Sequence, residues 1–132
     1  VGQHGAATHD QLDRVYTRAF DAEPDDGAIR ILFAHHGEVL LDLRRDSGVD
    51  LVVAGHTHGG QVQLPWIGPL ITFSGLPDRI AAGGLFRGPG TTRIYQSRGI
   101  GMERNQAPRI RFLCPPTLGV IELIDQAATR SP

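Results

Sequence analysis

Histidines are the residues of this chain best suited to chemistry, and four of the six stand in two close groups. The first group is His35 and His36, and the second is His56 and His58. A neutral imidazole is a good ligand for divalent transition metals, and flanking glycines permit backbone angles that leave the rings free to enter a cleft. The two groups therefore predict a metal site, whereas the other two histidines have no such context and are interpreted as solvated side chains.

The spacing within each group leaves alternatives open. On an extended backbone, His56 and His58 would place both rings on one side of the chain. In a tight turn, the two rings would instead diverge towards two neighbouring ions. In the first group, His36 competes with His35 as the metal ligand, and we favour His35 because it directly follows an apolar segment.

Both histidine groups follow short apolar segments that are typical of buried β-strands. Ile29–Ala34 precedes the first group, and Asp50–Ala54 precedes the second. Between them, the apolar positions of Glu38–Ser47 predict a helix that ends at Gly48. Strand, helix and strand form a βαβ unit, and ligands bind at the carboxyl ends of parallel strands. The sequence therefore predicts an α/β fold with both histidine groups at one edge of a sheet.

The regions on either side of this unit predict one further helix and several short strands. Apolar residues at helical spacing predict the helix over 8–22. Alternating patterns predict mixed or antiparallel strands at Gln61–Leu64, Thr92–Ser97, Arg109–Phe112 and Gly119–Ile124. The Pro- and Gly-rich segment 65–90 contains apolar residues that we interpret as a satellite core, with contact to a lipid chain or membrane surface as the alternative. No linker divides residues 1–132, so we expect a single domain.

Composition excludes several classes of protein. Hydrophobic residues make up 40% of the chain and charged residues 20%, so it can bury a core and is not a disordered tail. A net charge of -1 provides no positive field to displace counterions from phosphates, so we predict no nucleic-acid-binding face. The single cysteine, Cys114, is interpreted as a small buried hydrophobe. No apolar run approaches the roughly 20 residues that span a bilayer.

A longer string of residues connects these patterns to a known family. The segment Gly55–Val62, GHTHGGQV in one-letter code, resembles the last metal-binding motif of the calcineurin-like metallophosphoesterases. Upstream, Ile31–His35 resembles that family's strand ending in a metal-ligand histidine. Segments 64–69, 82–83, 95–101 and 114–116 resemble one branch, which comprises bacterial, often membrane-linked phosphodiesterases. The resemblance covers roughly residues 8–124.

This resemblance implies a hydrolase with two divalent metal ions, Mn, Fe or Zn. The ions would bind a phosphoester substrate, for which a lipid-linked compound is one alternative, and lower the pKa of a bridging water. By correspondence with the motifs, His35 and His56 are ligands of one ion and His58 is a ligand of the other. The resemblance favours a cytoplasmic or peripherally membrane-associated location.

Arg98 is a separate candidate, for binding the substrate phosphate. It follows a predicted strand and precedes a glycine, and its planar guanidinium suits bidentate contacts with phosphate. The alternative is an arginine that faces solvent and has no functional role.

The family's earlier motifs do not occur here. These motifs (Asp-x-His, Gly-Asp and Gly-Asn-His) carry the carboxylates, including a bridging aspartate, and an acid histidine. We therefore expect the C-terminal half of the family's α/β sandwich, with little activity of its own. If two ions nevertheless bind, Asp50 or Glu38 would have to complete the site. A further departure is Gly37-Glu38, where relatives usually have proline and aspartate.

A second hypothesis belongs to another class of protein. The chain would be a non-catalytic module that binds one metal weakly through His35 and His56. It would then self-associate or pair with a polypeptide that carries the missing N-terminal half. An exposed sheet edge and an uncovered apolar face would drive that association.

Overall fold

The computed structural model describes residues 27–103, 107 and 109–124. The helix predicted over 8–22 lies outside these residues. Within them, the secondary structure consists of short elements, which are, in chain order, β1 Ile31–His36, α1 Val39–Asp42, β2 Leu51–Gly55, a 3-10 turn His58–Gly60, β3 Gln63–Leu64, β4 Gly68–Pro69, α2 Asp78–Ala81, β5 Gly84–Arg87 and β6 Arg93–Gln96.

A four-stranded mixed sheet in the order β1-β2-β6-β5 is the framework of the fold. β1, β2 and β6 run parallel, whereas β5 is antiparallel to β6. The predicted βαβ unit is confirmed as β1-α1-β2, and the α/β class with it. β3 and β4 form a separate antiparallel pair. The three parallel strands end at the same edge of the sheet, and this edge carries both histidine groups.

One face of the sheet packs against the two helical turns. Its central row runs across all four strands in the pairing register Leu32, Val52, Ile94 and Phe86. The two central members, Val52 and Ile94, are completely buried. Leucines of α1 and the α1–β2 connection and Ile80 of α2 complete this core. Each fully buried aliphatic side chain contributes about 1.5–3 kcal/mol, so β2 and β6 are firmly anchored.

The opposite face is only partly covered by the residues that the structure describes. Its central row pairs Phe33, Val53, Tyr95 and Leu85 across the four strands. The two outer members are the most exposed, Phe33 at 74% and Leu85 at 57%. The sheet therefore presents apolar side chains at both of its edge strands.

The helix predicted over Glu38–Ser47 is wrong in length, because α1 stops after one turn at Asp42. Leu43 adopts an extended conformation and is buried in the core. Arg44 lies beyond the end of α1, and its guanidinium donates to the carboxylate of Asp46. A helix of ten residues is only marginally stable by itself. The burial of Leu43 in the core therefore outweighs the local preference for a longer helix.

Two predicted strands are also wrong. Arg109–Phe112 forms only an isolated bridge between Phe112 and Val62. Gly119–Ile124 has no strand structure and its residues are exposed. Alternating apolar residues form a strand only where a neighbour completes the hydrogen-bond ladder, and the described part of the chain supplies none there. The other two predicted strands are present in shortened form as β3 and β6.

The interpretation of 65–90 as a satellite core is wrong for its first half. Five large apolar side chains of this segment are exposed, namely Trp66, Ile67, Leu70, Ile71 and Phe73. Further along, Leu76 and Ile80 do enter the main core. Cys114 is buried as predicted. No helix among the described residues has the length and apolar character needed to cross a bilayer.

The exposed position of Trp66 gives a spectroscopic prediction. Because Trp66 is the only tryptophan and its side chain is fully exposed, we expect emission at the wavelength of free tryptophan and efficient quenching by acrylamide. Unfolding in urea should change both properties little. Blue-shifted emission that acrylamide does not quench in dilute solution would show that this side chain is covered.

Candidate metal centre

The two histidines of the first group end β1, where the strand is irregular. Ala34 pairs with Ala54, but His36 pairs with Gly55, so the register shifts and one extra residue is accommodated at His35. In a regular strand, successive side chains point to opposite faces. A bulge redirects them, and here the rings of His35 and His36 lie together, with centroids 4.8 Å apart.

His56 joins these two rings from the neighbouring strand. Its Nδ1 lies 3.3 Å from Nε2 of His35, and its ring centroid is 3.9 Å from that of His36. Each of the three imidazoles offers a nitrogen within 4.8 Å of the others. We call His35, His36 and His56 the imidazole cluster. Both candidate ligands of the first group, His35 and His36, belong to this cluster. A site therefore forms without a choice between them.

His58 lies outside the imidazole cluster. The loop after β2 is a tight turn, and both His56 and His58 adopt left-handed backbone angles, with φ of 73° and 49°. Strained angles of this kind at bulky residues concentrate at functional sites. The ring of His58 faces a separate cleft that His56 also lines, together with Ile71, Phe73 and Glu103. Of this pair, only His56 joins the imidazole cluster, and a role of His58 as the ligand of a second ion stays a prediction.

Thr57 anchors this loop, the histidine loop (Gly55–Gln61), to the rest of the fold. Its buried hydroxyl donates to the carbonyl of Ala81 at 2.8 Å. The same oxygen accepts from the backbone N–H of Gly59 and from the side-chain amide of Gln96. These contacts connect the loop to α2 and to β6. The histidines on either side of Thr57 are thus attached to a fixed point.

Gly59 occupies a position that disfavours any side chain. Its φ of 64° is left-handed, and a Cβ there would lie 2.7 Å from Sγ of Cys114 and 3.0 Å from Cγ of Arg98. Such contacts require the neighbours to move, and the backbone angle is itself strained for other residues. The glycine after His58 therefore permits the loop to pack closely on the chain segments around residues 98 and 114.

Arg111 holds the loop and the C-terminal segments together, a role that no pattern in the sequence indicated. Its guanidinium donates to five backbone carbonyls, those of His58, Arg98, Gly99, Gly101 and Cys114. All five contacts come from the two terminal nitrogens, whose N–H groups lie in a rigid plane and suit acceptors that approach from several directions. The alternating segment around Arg111 indicated a strand, and the carbonyl cage becomes visible only when distant segments meet.

Two ionisable groups near the cluster have shifted pKa values. Burial lowers the pKa of the His58 imidazole, and the positive charge of Arg111 lowers it further. Burial by itself would raise the pKa of Glu38, but hydrogen bonds from Ser74 and Gly75 and the charge of His36 outweigh it and lower the pKa. At neutral pH, His58 is therefore uncharged and Glu38 is a carboxylate.

Of the two carboxylates considered as additional ligands, only Glu38 lies near the cluster. Its Oε2 is 3.8 Å from Nδ1 of His36. Asp50 precedes β2 at the opposite end of the strand, where its Oδ2 accepts from the backbone N–H of Arg30. Asp50 therefore cannot complete a site at the imidazole cluster.

The donor set fits a divalent transition-metal ion. Two nitrogens that bind one tetrahedral zinc ion at about 2.0–2.1 Å are roughly 3.3 Å apart, and Nε2 of His35 and Nδ1 of His56 have this separation. Imidazole nitrogens with a nearby carboxylate are ligands that Zn, Fe and Mn accept. The cluster supplies no negative charge of its own, so an ion would retain most of its charge for a bound anion.

The side chain of Arg98 lies beneath the histidine loop. Its Nε donates to the carbonyl of Ala82 at 2.7 Å, and its Cγ packs close to Gly59 and Gly83. Part of the side chain thus has a structural role. Contact of Arg98 with a substrate phosphate stays a prediction.

The chain is similar to several curated bacterial proteins. The chain is 39% identical over 100 residues to the uncharacterised metallophosphoesterase YkuE of Bacillus subtilis, covering 74% of this chain and 32% of the relative. It is 33% identical over 95 residues to the phosphodiesterase YaeI of Escherichia coli, covering 72% and 32%. It is 38% identical over 93 residues to the UDP-2,3-diacylglucosamine pyrophosphatase LpxG of Chlamydia trachomatis, covering 67% and 27%.

The relatives are considerably longer than this chain. The chain spans about a third of the length of the curated relatives it matches. No family model matches the chain. No solved structure is significantly similar to it. The similarity is nevertheless shared by several proteins named metallophosphoesterases or phosphodiesterases, and it agrees with the histidine motif and the cluster. The chain therefore belongs to the calcineurin-like metallophosphoesterase family, of which it represents a part.

Proposed function

We propose that this chain contributes the histidine-rich half of a two-metal site in a metal-dependent phosphoester hydrolase, most simply a phosphodiesterase. The observation that carries the proposal is the imidazole cluster at the carboxyl ends of two adjacent parallel strands. That edge of a parallel sheet is where ligands bind. The names of the relatives, which include a phosphodiesterase and a pyrophosphatase, support phosphoester chemistry.

Within such a site, the residues of this chain bind and orient. His35 and His56 would hold one ion, which is Mn, Fe or Zn, and His58 would face the second. Bound ions supply Lewis-acid polarisation of the phosphoryl group and positive charge for the attacking and leaving oxygens. Since His58 is neutral at pH 7, its nitrogen lone pair is available for coordination. Oε2 of Glu38 lies 3.8 Å from Nδ1 of His36, beyond hydrogen-bond distance, so Glu38 would have to move closer to orient that ring.

The remaining groups of the site would come from other parts of the protein. The chain has no Asp-x-His, Gly-Asp or Gly-Asn-His motif before His35. A bridging carboxylate and an acid histidine are therefore missing, and the charge of two ions stays uncompensated. We infer that these 132 residues correspond to the C-terminal half of the family's α/β sandwich and have little activity alone.

The cleft beside the cluster suggests the character of the substrate. His56 and His58 share it with the apolar side chains of Ile71 and Phe73, which continue into the exposed residues around Trp66. A phosphoester with an apolar group would place its phosphate at the histidines and its apolar part on this loop. One relative is named for a diacylated substrate, which supports a lipid-linked phosphoester. Arg98 remains the candidate for an additional phosphate contact.

Metal stoichiometry tests the proposal directly. The chain is incubated with Mn²⁺ or Zn²⁺, desalted exhaustively and analysed for metal content. We expect about one weakly held ion per chain and little hydrolysis of bis(p-nitrophenyl) phosphate, because half of the ligands are absent. Two firmly held ions would overturn the half-site interpretation. Complete absence of binding would overturn the metal site itself.

A second candidate function is a non-catalytic module that self-associates or binds a partner. The apolar side chains of Phe33 and Leu85 at the two edge strands favour it. Size-exclusion chromatography tests this candidate, because a well-behaved monomer would count against an exposed half sheet that drives association. A metal-free dimer would contradict the hydrolase half-site.

A further inference from the structure

We propose that Gln96 is a positioning residue that sets the separation of the two histidine-bearing turns. The inference rests on the proposed metal-binding function, because it concerns how the ligands of that site are placed. Gln96 is the last residue of β6, the strand next to β2, and its side chain is 1% exposed. From the carboxyl end of β6, its side chain extends between the histidine loop and the turn that follows β1.

One end of the Gln96 side chain holds the histidine loop. Its Nε2 donates to the carbonyl of Gly55 and, at 3.1 Å, to the hydroxyl of Thr57. These two residues flank His56 in the sequence. The amide of Gln96 therefore restrains the backbone on both sides of the histidine that completes the imidazole cluster.

The other end of the same side chain faces the turn after the first histidine group. A Cβ on Gly37 would collide with Oε1 of Gln96 and would lie 2.6 Å from Cδ1 of Leu76. Gly37 directly follows His36 and is itself buried. Gln96 thus fills the space against one turn while it donates hydrogen bonds to the other.

The amide is an unusual choice for stability alone. Oε1 of Gln96 is buried and accepts no hydrogen bond from the described residues. An unsatisfied buried oxygen costs free energy, so an apolar side chain of similar volume would fill this space more cheaply. The donors of the amide, which connect β6 to Gly55 and Thr57 on both sides of His56, explain why a polar residue stands here. Fixing the loop maintains the 3.3 Å separation between the nitrogens of His35 and His56.

The test compares Gln96→Met with Thr92→Val in the 132-residue chain. Methionine keeps the length of the side chain and removes both donors. Thr92 is the matched control, because its buried hydroxyl donates to the carbonyl of Val49 at the opposite end of the sheet. Co²⁺ affinity and the visible absorption spectrum of bound Co²⁺ are measured, together with nuclear Overhauser contacts between the rings of His35 and His56 in the metal-free chain.

We expect Gln96→Met to lower Co²⁺ affinity about 10- to 100-fold, the usual effect of losing a group that orients a ligand. We also expect a changed Co²⁺ spectrum and weaker contacts between the two rings. Thr92→Val should leave all three measurements unchanged. If Gln96→Met binds Co²⁺ with the same affinity and spectrum as the unsubstituted chain, the positioning role is wrong and the metal site stands.

Two further outcomes keep the inference separable from the proposed function. If the unsubstituted chain binds no Co²⁺, the proposed function fails. The contacts between the rings of His35 and His56 then test the positioning role by themselves. Loss of these contacts only in Gln96→Met supports the positioning role, and their persistence in Gln96→Met overturns it. If Gln96→Met does not fold, Gly37→Ala replaces it, since the added methyl displaces Oε1. Lower affinity in Gly37→Ala supports the inference, and unchanged affinity contradicts it.

Discussion

Replacing His56 with glycine should lower the affinity of the chain for Zn²⁺ roughly a hundredfold. Zinc sites with four ligands bind with about 10–16 kcal/mol, so one ligand accounts for roughly 3 kcal/mol, or about a hundredfold in affinity. Glycine is the appropriate replacement, because the φ of 73° at this position is accessible to glycine but strained for alanine. Isothermal titration calorimetry at neutral pH measures the change.

Two further histidine variants show whether a loss of affinity in His56→Gly reflects the imidazole cluster. His35→Ala should produce a loss of similar size, because the nitrogen of His35 faces that of His56. His9→Ala serves as the matched control, since this histidine has no metal-binding context in the sequence, and its affinity should stay within about twofold of the unsubstituted chain. An equal affinity in all three variants would show that the imidazole cluster binds no ion.

Replacing Arg111 with methionine should strongly lower the free energy of unfolding. The change removes the guanidinium donors to five backbone carbonyls, of which those of His58 and Gly99 keep a backbone donor. Hydrogen bonds from a charged group contribute about 1.5–3 kcal/mol each without being additive. Because part of the guanidinium's surroundings is exposed, we expect the free energy of unfolding to fall by about 3 kcal/mol. This is a large fraction of the roughly 5–15 kcal/mol that stabilises a typical domain. Urea unfolding measures the loss.

Arg109→Met is the matched control for this prediction. Arg109 carries the same charge two positions away and is exposed, so its replacement should change the stability by less than about 0.5 kcal/mol. Arg111→Lys should fall between the two, because an ammonium cannot reach carbonyls on several sides at once. Equal urea midpoints for Arg111→Met and Arg109→Met would show that the carbonyl cage contributes nothing.

The framework of the fold could be predicted because local sequence and tertiary structure agree there. Leu51–Ala54 is a continuous apolar run bounded by a glycine, which is typical of a strand buried on both sides, and β2 is the most buried strand of the sheet. The same holds for β1, whose apolar residues precede the first histidine group. Where a strand ends and a turn begins is a local property, so the placement of histidines at strand ends was predictable.

Elements that depend on a distant partner could not be predicted in this way. The segment Gly119–Ile124 alternates as a strand does, yet it remains exposed without a neighbouring strand. Leu43 continues the helical spacing of α1, but its burial in the core requires an extended backbone. In both cases, contacts with residues far away in the sequence outweigh a local preference of a few tenths of a kcal/mol per residue.

For the site, the residue types came from the sequence and their arrangement came from the fold. The histidine motif was sufficient to identify the family and the kind of ligand. Which imidazoles meet was decided by the register shift between β1 and β2, which brings His36 into the cluster, and by the tight turn, which directs His58 elsewhere. Pairing register and the contacts of Arg111 and Gln96 join segments that lie tens of residues apart. No local pattern encodes such contacts, because each depends on the simultaneous position of several chain segments.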